Sequence, residues 1–147
     1  MEIEKAELKV LDDYYKAIKM GEDSYSMLIE KTTDSEFKEL LQKQSNKYEE
    51  FLNTLHTEYN KIDEEPTDTP VMQKVMGWTG INLNTLADSS NSHISEILIQ
   101  GAIMGVIEVN KLLNSNPNLN KDLAHSLSSF GEFQYKIIEE LKQYLRK

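Results

Sequence analysis

At 147 residues the chain is sized for one domain, 1–147, with a real core. Its formal charge of −9 argues against nucleic acid or an anionic membrane as main partner, since those need clustered Lys and Arg. There is no cysteine, which excludes disulfides, a thiolate zinc site and a cysteine nucleophile. The longest nearly apolar run, 97–107, is too short to span a bilayer. The start, Met-Glu-Ile-Glu-Lys, lacks the basic-then-apolar order of a signal peptide. The expectation is a soluble, cytoplasmic protein with no membrane insertion. Arg146 is the one basic residue besides the lysines, as an AT-rich bacterial coding bias produces.

In chain order, the first predicted helix covers 3–31. Steps of three and four give the stripe Leu8, Leu11, Tyr15, Ile18, Glu22, Tyr25 and Ile29, the pattern of a helix packed into a bundle. Its exception is Glu22, and a carboxylate within an apolar stripe must be hydrogen-bonded, paired or metal-bound. Thr32 and Thr33 end this helix, and Thr33 with Glu36 reads as a capping box opening the next. The second helix, 34–61, carries Phe37, Leu41, Gln44, Tyr48, Phe51, Leu55, Tyr59 and Ile62. The link is short, so the two helices form an antiparallel hairpin. Folding about Thr33 brings the polar exception Gln44 level with Glu22.

Residues 63–70 are acidic and proline-punctuated. Thr69-Pro70 predicts a short helix over 70–87 by N-cap and proline-at-N1 logic, within a crossover spanning 63–91. Met72, Met76 and Trp78 form its packing face or, if exposed, a partner or homodimer interface. The third helix, 93–114, has a small-residue middle at Gly101, Ala102 and Gly105. That middle permits close helix approach or a small-molecule pocket. After the turn at 114–118, the fourth helix, 119–145, carries Leu123, Leu127, Phe130, Gln134, Ile137, Leu141 and Tyr144. Gln134 is its polar exception, so Glu22, Gln44 and Gln134 are expected to form a polar layer in the core. A bundle helix of about 26 residues is about 39 Å long. The 63–91 segment is long enough to run back along it, which makes helices two and three parallel.

Gly21-Glu22 with Tyr25, the Trp-containing crossover and Gln100-Gly101 resemble a bacterial ferritin-like four-helix-bundle family of unknown function, distantly similar to rubrerythrin. The resemblance covers nearly the whole chain. It implies an all-α, ferritin-like four-helix bundle: two antiparallel hairpins joined by a long crossover. It also implies Glu22 as the position of a di-iron ligand. A carboxylate-bridged di-iron site takes a Glu from two helices and Glu-x-x-His from the other two. Here Gln44-Ser-Asn-Lys47 stands where one Glu-x-x-His is expected, and Ala102 stands where the second bridging Glu is expected. Gly131 and Gln134 occupy the matching layer of helix four, with Glu132 just off the stripe. Glu-x-x-His occurs nowhere. His56, His93 and His125 lie off the core stripes, and Asp122 with His125 reads as a solvated surface pair.

The leading expectation is thus a bundle without a cofactor or catalytic residues, acting by binding a partner or by self-association. One alternative is an iron or manganese protein in the oxidative-stress class, using Glu22 and Glu132. A second is a small-molecule binder in the hollow at Gly101, Ala102 and Gly105. No serine, cysteine or glycine-rich-loop arrangement for nucleophilic or phosphoryl chemistry is present.

Overall fold

The computed structural model describes residues 2–67 and 82–147, and these contain helices and turns but no strand. Four long helices carry the fold: α1 (Glu2–Lys31), α2 (Ser35–Lys61), α3 (Asn91–Ser115) and α4 (Lys121–Leu141). Short 3-10 turns occupy Leu83–Thr85 and Lys142–Tyr144. The predicted helix over 70–87 does not continue through its described end, where only the Leu83–Thr85 turn forms. Met72, Met76 and Trp78 lie outside the described residues.

Side-chain oxygens fix three of the helix starts. Asp34 Oδ1 accepts from the Phe37 N–H at 3.0 Å, Ser90 Oγ from His93 at 3.2 Å, and Asn120 Oδ1 from Leu123 at 2.9 Å. Each satisfies an amide the first turn leaves unpaired. The α2 cap is therefore Asp34, one residue beyond the expected Thr33.

Contacts along the helices set their directions. Tyr59 donates to Asp12 at 2.6 Å and Tyr25 donates to Gln44 at 2.8 Å, so α1 and α2 are antiparallel. Gln44 meets Glu140, Tyr48 meets Gln134 and Lys61 meets Asp122, so α2 and α4 are antiparallel as well. Asn91 donates to Asp34 at 3.2 Å, and Ser92 bonds the Arg146 backbone. α3 therefore starts at the end where α2 starts, and the two run in the same direction. Lys61 and Asn91 therefore lie at opposite ends of the bundle. Leu83 is fully buried, with its turn against α1.

The core is one cluster drawn from all four helices. On α1 the buried line is Leu11, Tyr14, Ile18, Gly21, Tyr25 and Leu28. The expected stripe shares Leu11, Ile18 and Tyr25 with it but is rotated between them. The inward position there is Gly21, and Glu22 sits on the flank.

Candidate functional site

Gly21 makes room for the ring of Tyr48. A Cβ at Gly21 would lie 2.7 Å from Tyr48 Cζ, inside any real contact distance. Tyr48 thus crosses from α2 under α1, and its hydroxyl reaches the Gln134 amide of α4. It donates to Oε1 at 3.3 Å and accepts from Nε2 at 3.2 Å. The Gln134 side chain in turn fills the notch over Gly105, where a Cβ would sit 3.0 Å from Cδ. All four groups are buried. The unit is a closed glycine–tyrosine–amide–glycine stack, and it satisfies its own polar atoms.

Beside it lies a second chain of bonds. Tyr25, whose ring centroid is 5.4 Å from that of Tyr48, donates to Gln44 Oε1 at 2.8 Å. Gln44 Nε2 donates to Glu140 Oε1 at 3.2 Å. Burial pushes the phenols of Tyr25 and Tyr48 well above their ordinary range, and the nearby Gln134 only partly offsets this for Tyr48. Both hydroxyls therefore stay neutral at any physiological pH. Amides and neutral phenols make this a hydrogen-bonding layer, with the oxygen of each amide taken by a phenol.

Glu22 does not join that layer. Its carboxylate lies 3.4 Å from Lys19 Nζ and remains 19% exposed. Burial disfavours the Lys19 ammonium, but Glu22 and Asp23 outweigh it and hold its pKa above the ordinary lysine value. Asp23, next to Glu22, has its carboxyl raised by burial, with Lys19 opposing. Glu132 is exposed on α4. The expected pairing of Glu22 with Gln44 and Gln134 is thus corrected: the two glutamines share the tyrosine layer, and Glu22 pairs along its own helix. Of the two readings of Gly101, Ala102 and Gly105, the structure has close packing and not the hollow. Gly101 and Ala102 are buried, and the side chain of Gln134 occupies the space at Gly105. His56 and His125 are exposed, and His93 lies 3.2 Å from Glu96. Among the described residues, no three His, Asp or Glu side chains converge as a metal-holding group.

Two features of the surface were not expected from the sequence. One is a groove of about 410 Å³ between α2 and α4. Gln44, Phe51 and Phe133 form its buried floor, and Lys43, Lys47, Lys136, Glu132 and Glu140 stand around it. The Gln44–Glu140 bond opens into this groove. The other is the outer face of α3, where Ile103, Met104 and Ile107 are more than two-fifths exposed. The signal for that face was present, since these residues fall between the buried Leu98, Ala102, Gly105 and Val109 of the same apolar helix.

No described helix is long and apolar enough to cross a membrane. Comparison with protein-family models, with curated proteins and with solved structures finds no match.

Proposed function

We propose that this chain is a ferritin-like four-helix bundle that lacks a working di-iron site and acts by binding, either a partner or a second copy of itself. The observation that carries this reading is the content of the central layer. Gln44 and Gln134 stand where the ferritin-like pattern requires ligands, and the oxygen of each amide accepts from a tyrosine hydroxyl, while the Gln44 NH2 goes to Glu140. The parallel course of α2 and α3, joined by a long connection, supports the ferritin-like arrangement. Recognition is then a matter for the surface, where the α2–α4 groove and the apolar face of α3 offer contacts. Self-association would use the α3 face, because exposed Ile and Met side by side are the kind of patch that interfaces cover.

The test is elemental analysis of protein purified from iron- and manganese-supplemented cells, beside a Glu22→Ala variant. The expected result is substoichiometric metal in both. Near-stoichiometric metal that disappears in Glu22→Ala would overturn the reading and assign the chain to a metal-handling class.

A further inference from the structure

The α2–α4 groove has a composition out of keeping with the rest of the molecule. In a chain of charge −9, three lysines face it against two glutamates. Glu140 is already engaged by the Gln44 amide at 3.2 Å. Lys43 and Lys47 have their carboxylate partners, at 3.9 and 3.4 Å, on the exposed surface of their own helix. Exposed pairs of that kind hold an ammonium weakly. No ion pair to Lys136 is present among the described residues.

Between the lysines the floor is aromatic. Phe51 and Phe133 stack with centroids 5.6 Å apart and planes inclined by 25°. Each keeps a small exposed fraction, 8% and 7%, at the groove surface. Lys47 Nζ lies 5.8 Å from the Phe51 ring centroid, so one cation is held against the aromatic floor. The volume, about 410 Å³, falls within the range of small-ligand sites. An apolar body on the two rings, with one negative charge among the lysines, matches both halves of the lining. The surplus of a single positive charge fits one anionic group better than two.

We propose that the α2–α4 groove binds a small apolar monocarboxylate, its hydrocarbon on Phe51 and Phe133 and its carboxylate between Lys47 and Lys136. This rests on the reading of the chain as a binding protein and names the class of ligand for it.

The probe is 4-phenylbutyrate, titrated calorimetrically into the full chain at low salt, with 4-phenylbutyramide as the uncharged counterpart. Saturable binding at one site per chain is expected, at least tenfold tighter for the acid than for the amide. Lys47→Gln/Lys136→Gln should weaken the acid at least tenfold and leave the amide unchanged. Lys111→Gln, at an exposed position of α3, should change nothing, and circular dichroism of each variant reports that the fold is kept. Amide shifts in a nitrogen-15 spectrum should fall on α2 and α4. Equal affinity for acid and amide, equal loss in Lys111→Gln, or no saturable binding would each overturn the proposal. So would a dimer in sedimentation that the double lysine variant dissociates, because the groove would then hold a second copy. Absence of binding in protein that also lacks metal defeats only this proposal. Stoichiometric metal defeats the broader reading whatever the titration shows.

Discussion

Gln134 and Gln44 are the same residue type, both nearly fully buried, and they sit in adjoining parts of one layer. Gln134 is enclosed, with the Tyr48 hydroxyl on one side and the bare backbone of Gly105 on another. Gln44 is the inner end of a path that leads through Glu140 into an open groove. The difference teaches that depth alone does not tell what a buried amide does. In the closed stack water cannot replace a lost partner, so shape and bonding are both needed. In the open chain water can enter from the groove and take over a broken bond.

That contrast orders the effects of substitution. Gln134→Ala removes the amide, orphans the Tyr48 hydroxyl and leaves a void over Gly105. It should cost about 3 kcal/mol in urea unfolding, the scale of a large-to-small core change. Gly21→Ala attacks the same stack from the other side by driving a methyl into the Tyr48 ring. The net loss should be about 2 kcal/mol even after the gain in helix propensity, since a buried ring between two helices has nowhere to move. Gln44→Ala should cost only about 1 kcal/mol, because water entering by the groove can satisfy Tyr25 and Glu140. If Gln44→Ala proves as costly as Gln134→Ala, the distinction between closed and open halves fails.

The smallest effect concerns Asp23. Its folded pKa is raised, chiefly by burial. The fold therefore favours the protonated form, and a penalty grows as pH rises from the ordinary aspartate range through the folded pKa. Asp23→Asn should raise the melting temperature slightly at pH 7 and lose that advantage below about pH 4. Asp34 has the opposite sign. The Phe37 amide and then Asn91 hold its carboxylate below the ordinary range. Its contribution is present above that range and disappears as pH falls through the lowered value. A melting-temperature series from pH 7 to pH 3 on wild type and Asp34→Ala should converge at the acid end.

Much of the helical layout was legible because apolar residues recur at three and four over long stretches. Gln44 and Gln134 were legible as the single polar members of their stripes. Glu22 was misplaced for a physical reason. Stripes through Leu11, Ile18 and Tyr25 can pass through either Gly21 or Glu22, and a carboxylate in a stripe attracts notice where a glycine reads as a gap. Only the Tyr48 ring, which comes from another helix, shows why the inward position must lack a side chain. The groove was illegible for a similar reason. Its floor joins Phe51 to Phe133 and Gln44 to Glu140 across two helices that the sequence separates widely. Glu140 lies off the α4 stripe, and only side-by-side packing with α2 gives it a role.

The central claim is that the closed stack is a structural lock in which Tyr48 and Gln134 depend on each other. A double-mutant cycle with Tyr48→Phe and Gln134→Leu, read by urea unfolding, tests it most directly. Each single change strands a buried polar group, whereas the double change removes both. The account predicts a coupling of about 1–2 kcal/mol, with the double variant costing clearly less than the sum of the singles. Strict additivity would contradict it and would leave Gln134 as a space-filling residue with no bond of consequence.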